Sequence, residues 1–101
     1  MTNKALPSAR FRVLFVCTGN ICRSPTAHAI FARDVGRAGL AAQIAVDSAG
    51  TSAWHAGEAA DPRTVAAALR HGVDMSALRA RPFRPQDWQQ FDLILVAGYD
   101  H

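Results

Sequence analysis

The sequence predicts an α/β fold in which a twisted parallel sheet carries helices on both faces, giving three layers. Residues 11–16, FRVLFV, form a short β-branched and aromatic run that is typical of a buried parallel strand. Two further segments read as strands, 43–48 (QIAVDS) and 91–97 (FDLILVA). Because a predicted helix lies between each pair of strands, the order β-α-β-α-β indicates parallel strands joined by right-handed crossovers.

The first predicted helix follows the first strand after a short turn. Ser24 is expected to cap its N-terminus, with Pro25 at the first helical position, where the missing N–H costs nothing. Gly39 is expected to end the helix. Apolar residues recur between these signals at helical spacing, namely Ala27, Ile30, Phe31, Val35 and Ala38.

The second predicted helix covers residues 62–71. Asp61 and Pro62 repeat the capping signal at its start, and Gly72 follows its end. A short turn around Asp87 and Trp88 then leads into the third strand. No internal repeat or boundary divides the chain, so we expect one α/β domain over 11–101, preceded by an extension, 1–10, whose order stays open.

Composition excludes several classes of function. Half of the 101 residues are hydrophobic, which is enough for one modest core. The net charge of +3 comes from scattered arginines, which favour anionic ligands without indicating nucleic acid. The only early apolar run, VLFV, is too short for a signal peptide or a membrane span. We therefore expect a cytoplasmic protein that binds neither nucleic acid nor membrane, and whose two cysteines stay reduced.

The stretch that follows the first strand, CTGNICRSP, has the properties of an anion-binding loop. A loop between a buried parallel strand and a helix N-terminus directs several backbone N–H groups, and the positive end of the helix dipole, toward one point. Gly19 and Asn20 tolerate the left-handed backbone that such a loop needs. Arg23 can add two parallel hydrogen bonds to phosphate oxygens.

Cys17, the first residue of this loop, is the candidate nucleophile. An ordinary cysteine, with a pKa near 8.5, is only about 3% thiolate at pH 7. The field that attracts a phosphate also favours the thiolate, so the loop would activate Cys17 toward the phosphorus of a bound ester. The hydroxyl of Ser24 can donate to the thiolate. A metal centre is not expected, because the two cysteines have no histidine ligand nearby.

The string VCTGNICRSP contains the C-x5-R pattern of cysteine phosphatases and resembles the low-molecular-weight protein tyrosine phosphatase family. The segments DSAGTSAWHAGEAADPR, HGVDMSALRAR and FDLILV resemble that family in order and spacing. The resemblance extends from Arg12 to Val96. It implies a strand order of 2-1-3.

This resemblance implies attack by Cys17 on a phosphotyrosine protein or small phosphate ester, a phosphocysteine intermediate held by Arg23, and release of inorganic phosphate without any cofactor. It also implies that Ser48 and Asn20 support the loop, that Trp54 walls the substrate crevice, and that Cys22 forms a reversible disulfide with Cys17. The expected phosphate-binding loop residues are Thr18, Gly19, Asn20, Ile21, Cys22 and Ser24.

Plainer interpretations of these residues stay open. Cys22 could equally be a small packing residue, and Trp54 could cover the edge of the sheet. The sequence favours surface positions without a catalytic role for His28, His55 and His71.

The sequence also departs from the family pattern. The family's general acid lies in an Asp-Pro-Tyr motif beyond the third strand, and residues 1–101 contain no such motif. We therefore expect a C-terminally incomplete domain that lacks the fourth strand. Leu78 replaces a histidine that usually supports the loop asparagine, His28 replaces an acid, and Gly98 replaces an aspartate. Because Leu78 cannot hydrogen-bond, the sequence leaves the support of Asn20 open.

These features favour two candidate functions. The first is a tyrosine phosphatase weakened by the missing acid, and the alternative is a phosphate-binding or phosphoprotein-binding domain with little turnover. An arsenate reductase is less favoured, because no cysteine follows Cys22. The apolar third strand would lie at a sheet edge, so we also expect self-association through residues 91–97.

Overall fold

The computed structural model describes residues 10–52 and 54–97, which form a parallel three-stranded sheet with helices on both faces. The strand order is β2-β1-β3, as predicted. In the register of the sheet, Phe15 of the central strand is aligned with Ser48 on one side and Leu95 on the other. The strands are β1 (Phe11–Cys17), β2 (Ile44–Gly50) and β3 (Leu93–Val96).

Three helices occur among the described residues: α1 (Arg23–Arg37), α2 (Pro62–Arg70) and α3 (Asp87–Gln90). Helix α2 begins as the sequence predicts, because the Asp61 carboxylate accepts a hydrogen bond from the Thr64 amide at 3.2 Å. None of these helices is both long and apolar enough to cross a bilayer.

The predicted N-cap of α1 is wrong. The helix begins at Arg23, one residue before Ser24, and its N-cap position is Cys22, which makes no side-chain capping bond. Ser24 is completely buried, and its hydroxyl bonds to the preceding loop instead. The first amides of α1 are therefore not covered by a capping side chain and can face a ligand.

The two faces of the sheet are covered by different elements. On one face, Phe15 of β1 packs edge-on against Phe31 of α1, with ring centroids 5.9 Å apart. On the other face, Leu14 and Val16 form a buried cluster with Phe91, the residue that follows α3. This arrangement follows from the alternation of side chains along a strand, and it leaves the C-terminal end of β1 between the layers.

His28 is not at the surface, contrary to the sequence-based prediction. Only 5% of it is exposed, and its Nδ1 atom lies 3.0 Å from the Ser48 hydroxyl of β2. Because burial disfavours the charged imidazole, and the positive charge of Arg81 adds to that effect, the pKa of His28 falls to about 4. His28 is therefore a neutral packing residue between α1 and β2.

The predicted extension and the C-terminal end of the predicted domain both lie partly outside the described residues. Residues 1–9 of the expected extension, and Gly98, lie outside them. The Arg10 amide donates to the Gln43 carbonyl at 2.9 Å, so the ladder between β1 and β2 is continued by one residue before β1.

Candidate active site

The loop between β1 and α1 wraps around the end of the central strand. Asn20, in the middle of this loop, has φ of 57°, the left-handed conformation that asparagine tolerates better than most residues. Residues 18–22 thereby turn back over the N-terminus of α1. Loop amides and helix dipole together favour an anion at this position, as the sequence predicts.

The sulfur of Cys17 receives hydrogen bonds from the loop. The Asn20 amide donates to it at 3.3 Å, and the Ser24 hydroxyl lies 3.0 Å away. The Asn20 side-chain amide donates to the same hydroxyl at 2.7 Å, so the single proton of Ser24 is available for another partner. The Ala49 carbonyl is farther away, at 3.5 Å. The proton of Ser24 is therefore best directed at the sulfur.

These contacts favour the thiolate of Cys17. Burial on its own would raise the pKa of the thiol, because a thiolate is poorly solvated there. The hydrogen bonds from Ser24 and Asn20 and the positive charge of Arg23 outweigh burial, so the net effect is a pKa below the ordinary value. A buried cysteine with a lowered pKa is unusual for a packing residue and typical of a nucleophile.

Asn20 keeps its support although Leu78 cannot provide it. The Arg81 backbone amide donates to Asn20 Oδ1 at 3.0 Å. Both ends of the Asn20 side chain are therefore occupied, one by Ser24 and the other by Arg81. The backbone of a residue three positions beyond Leu78 thus supplies a hydrogen bond that the sequence left unassigned.

Arg81 is itself fixed by two buried carboxylates. Its guanidinium lies 3.1 Å from Asp47 of β2 and 3.0 Å from Asp87 of α3. Burial raises the pKa of Asp47 to about 6, against the opposing charge of Arg81. Burial also opposes ionisation of Asp87, but hydrogen bonds from Arg81 and the Arg84 amide outweigh it and lower the pKa of Asp87.

The end of β2 approaches the loop so closely that only glycine fits there. A Cβ atom on Gly50 would lie 2.8 Å from the Thr18 carbonyl oxygen, well inside contact distance. The next two amides, of Thr51 and Ser52, donate to the carbonyls of Cys17 and Thr18, each at 2.9 Å. β2 therefore holds the first half of the loop in place through its backbone.

A cavity of about 260 Å³ opens above the loop. Arg23 lines it, and the Arg23 side chain makes no hydrogen bond or ion pair to another described residue, so its guanidinium is available to a ligand. Trp54 stands at the mouth with 88% of its surface exposed, a position that suits the substrate wall expected from the resemblance. The cavity is lined by Cys17, Thr18, Gly19, Ile21, Cys22, Arg23, Ser52, Trp54 and His55.

The structure brings most of the expected site residues together, with one exception. The hydroxyl of Ser48 bonds to His28 on α1, and no hydrogen bond joins it to the described residues of the loop, so support of the loop by Ser48 stays a prediction. The reason is its register, since Ser48 lies opposite Phe15, two residues before the end of β1. Cys22 is exposed and unbonded to Cys17, and both thiols are free.

Sequence reasoning missed His55 as a residue of the site. It lies next to Trp54 in the loop after β2, and its ring packs over Gly19. Glu58, three residues later, lies within hydrogen-bond distance of the ring. The three-residue spacing between His55 and Glu58 was the only feature of the local sequence that could have indicated their contact.

Comparison with known proteins shows the family to which the chain belongs. A sequence profile described as low molecular weight phosphotyrosine protein phosphatase matches residues 12–101. The chain belongs to this family. It is 47% identical over 91 residues to a low molecular weight protein-tyrosine-phosphatase of Streptomyces coelicolor, covering 90% of this chain and 55% of that protein.

Further members of the family give the same picture. A low molecular weight phosphotyrosine protein phosphatase of Schizosaccharomyces pombe is 48% identical over 86 residues, covering 84% of this chain and 54% of that protein. The crystal structure of YfkJ from Bacillus subtilis matches with a TM-score of 0.84 and 40% identity, covering 90% of this chain and 57% of that one. The chain thus spans about half the length of the curated relatives it matches.

Proposed function

We propose that this chain hydrolyses phosphotyrosine and small phosphate esters through a phosphocysteine on Cys17. The observation that carries the proposal is the environment of the Cys17 sulfur, which accepts hydrogen bonds from two donors and has a lowered pKa at the base of an anion-binding cavity. The names of the family relatives support the same substrate class.

In the proposed first step, the Cys17 thiolate attacks phosphorus in line with the leaving oxygen. The S–P bond forms while the P–O bond breaks, and its electron pair stays on that oxygen. Arg23 and the loop amides would hold the three remaining phosphoryl oxygens, in which charge accumulates. Water then attacks the phosphocysteine, the S–P bond breaks with its electrons returning to sulfur, and inorganic phosphate leaves. Ser24 would stabilise the sulfur in both steps.

The test uses two variants and two measurements. We expect Cys17→Ser to abolish hydrolysis of p-nitrophenyl phosphate while inorganic phosphate still binds in calorimetry. We expect Arg23→Ala to abolish both. Activity retained by Cys17→Ser would exclude Cys17 as nucleophile, and undiminished phosphate binding by Arg23→Ala would exclude the proposed phosphate site.

The alternative is a phosphate-binding domain with little turnover, which needs only the loop amides and the guanidinium of Arg23. Residues 1–101 contain a single Asp-Pro pair, Asp61-Pro62, whose aspartate caps α2. Hydrolysis without help from a general acid is slower by about 10² to 10⁴ when the leaving group is poor. Phosphate binding without Cys17-dependent hydrolysis of p-nitrophenyl phosphate would identify this alternative.

We further propose that Cys17 and Cys22 form a reversible disulfide under peroxide. Both thiols line the same cavity, and Cys22 is the exposed one of the two. Peroxide would oxidise the Cys17 thiolate to a sulfenic acid, which the Cys22 thiol would then attack, forming the S–S bond and releasing water. A linked pair of cysteines should appear by mass spectrometry after mild peroxide. Over-oxidation of Cys17 to the sulfinic acid, with Cys22 still free, would contradict it.

A second copy of the chain is the other proposed partner, through the segment 91–97. Leu95 and Val96 of β3 are 43% and 68% exposed, and β3 pairs with β1 on one side only among the described residues. Exposed apolar edge strands are templates for pairing with another chain.

A further inference from the structure

Another cavity, of about 350 Å³, lies between helix α1 and the segment that follows α2. On α1 it is lined by residues 28–29 and 32–33, which helical spacing places on one face of the helix. Residues 72–74 and Leu78 line the opposite side. The cavity shares no lining residue with the one above the phosphate-binding loop, so it is a separate candidate site.

The segment that forms the opposite side is held by core and backbone contacts. Met75 is completely buried and clusters with Val73 and Ala60. The Val73 amide donates to the Ala68 carbonyl at 2.9 Å, and the Leu78 amide donates to the Met75 carbonyl at 3.1 Å. The cavity is therefore preformed in the folded chain, as is usual for small-molecule sites.

His28 presents an unpaired nitrogen to this cavity. Its Nδ1 atom bonds to Ser48, and no hydrogen bond joins its Nε2 atom to a described residue. Among the described residues, the only side-chain nitrogen or oxygen that is both buried from solvent and unpartnered is Arg12 Nε. Solvent therefore reaches His28 Nε2, although only 5% of the residue is exposed, and the cavity is the open space that His28 lines.

Ser48 determines which nitrogen of the ring carries the proton. The Ser48 hydroxyl is buried, and His28 Nδ1 is its only hydrogen-bond partner in the described part of the chain. Because an unpaired buried proton is costly, the hydroxyl donates and Nδ1 accepts. Burial lowers the pKa of His28 to about 4, so the imidazole is neutral at pH 7. Its single N–H is therefore on Nε2 and needs an acceptor.

The other lining residues select the polarity of a ligand. Arg33 and Asp74 have opposite charges, and each has a partner of its own, the Asp34 carboxylate at 3.4 Å and the Ser76 amide at 2.9 Å. The cavity therefore favours neither an anion nor a cation. The remaining lining side chains are apolar, namely Ala29, Ala32, Val73 and Leu78.

We propose that this cavity binds a small uncharged molecule whose carbonyl oxygen accepts a hydrogen bond from His28 Nε2 and whose apolar body packs against the alanines of α1. The site does not depend on the proposed chemistry of Cys17. The acid that the family pattern has at position 28 cannot supply this donor when it is ionised, so the donor depends on the histidine of this sequence.

The probe is acetophenone, which has one carbonyl oxygen on an apolar ring. We expect it to bind the unaltered chain with a Kd on the order of 1 mM, as its size allows. In a titration of the ¹⁵N-labelled chain with inorganic phosphate present, amide signals of residues 28–33 and 72–78 should shift, and those of residues 17–23 should not. A long-range ¹⁵N–¹H spectrum of the histidine rings should show the His28 proton on Nε2.

Two variants test the cavity and the donor separately. Ala32→Phe fills the cavity and should abolish binding. Its matched control is Ala66→Phe, at an exposed position of α2 that does not line the cavity, which should leave the Kd unchanged. His28→Phe keeps a ring but removes the N–H, and should weaken binding about fivefold. The amide spectrum of each variant reports whether it is folded.

The outcomes are distinct from those of the phosphatase assays. Absence of saturable shifts around the cavity, or full binding by Ala32→Phe, would overturn the site. A proton on Nδ1 of His28, or full binding by a folded His28→Phe, would overturn the hydrogen bond to the carbonyl. If His28→Phe does not fold, Ala32→Phe and the histidine spectrum decide. Absence of Cys17-dependent hydrolysis would overturn the proposed function and leave this site unaffected.

Discussion

The two flanks of the central strand β1 differ in which side chains they bury and which they expose. On the β2 side, Asp47 and Asp87 are buried, and both are paired with Arg81. On the β3 side, Leu95 and Val96 stay partly exposed. Arg81 joins these two carboxylates to the phosphate-binding loop through its backbone hydrogen bond to Asn20, whereas no residue of β3 lines the cavity. Buried charge in this fold therefore marks the flank that positions the loop, and exposed apolar surface marks the flank for which pairing with a second chain is proposed.

The largest expected effect tests the buried side of this comparison. Asp87→Ala leaves the Arg81 guanidinium, which is 11% exposed, with only one of its two carboxylates. Breaking a buried ion pair in this way costs about 3 to 5 kcal/mol of unfolding free energy. Urea denaturation measures the change.

The control for Asp87 lies on the β3 side. Asp92 pairs with Arg12 at 3.7 Å, and both side chains are about a third exposed. Asp92→Ala should cost at most about 1 kcal/mol. Equal losses for the two variants would remove the distinction between the two flanks.

A pH experiment sharpens the same comparison, because the two largest pKa shifts both occur on the β2 side. Asp47 has its pKa raised to about 6 in the folded protein, so the stability it contributes is present at low pH and lost as the pH rises through about 6. His28 has its pKa lowered to about 4, so its contribution is present above about 6.5 and lost as the pH falls. Each effect reaches about 3 kcal/mol, and they oppose each other.

Replacing His28 should therefore expose the titration of Asp47. Between pH 6.5 and 4.5 the two contributions change in opposite directions, so we expect the stability of the unaltered chain to change less than either contribution alone. His28→Gln, which can still bond to Ser48, should become more stable by about 2 kcal/mol as the pH falls across this range. Urea midpoints at each pH provide the measurement, with His71→Gln as the control. Parallel pH profiles for His28→Gln and the unaltered chain would contradict the assignment.

The smallest expected change in stability belongs to the β3 edge. Leu95→Lys replaces a side chain that is 43% exposed, so unfolding free energy should change by no more than about 0.5 kcal/mol. Its effect should instead appear in light scattering, where the charge prevents edge pairing and shifts the chain toward the monomer. Leu69→Lys, at a 61% exposed position on α2, is the matched control. A monomer at high concentration without any substitution would refute self-association through β3.

Local sequence patterns predicted the parts of this molecule that depend on neighbouring residues. The FRVLFV run, the Asp61 cap and the turn-forming Asn20 were all read correctly because their causes lie within a few residues. The cap at Ser24 failed because a tertiary contact, the Cys17 sulfur, competes for its hydroxyl.

The rest of the site depends on pairs that are distant in the chain. Arg81 meets Asn20 across 61 positions and Asp47 across 34. No local pattern indicates such partners, which is why the buried charges and the support of Asn20 were not predicted. His28 was misjudged for the same reason, since its burial depends on a serine 20 residues away.

The segment around Ala80 and Arg81 has a consequence for how the cavity can change shape. Ala80 forms backbone hydrogen bonds to Gly57 and Glu58, in the turn that follows His55. The Arg81 amide donates to Asn20 Oδ1, and the Arg81 carbonyl accepts from the Gly50 amide at 2.8 Å. The turn of His55 and Glu58, on one wall of the cavity, and the phosphate-binding loop, on the other, are thus hydrogen-bonded to two adjacent residues of one segment. A displacement of that segment would move both walls in the same direction. The distance between the His55 imidazole and the Cys17 sulfur should therefore change little when this segment moves. A ligand would then meet a cavity of the same width.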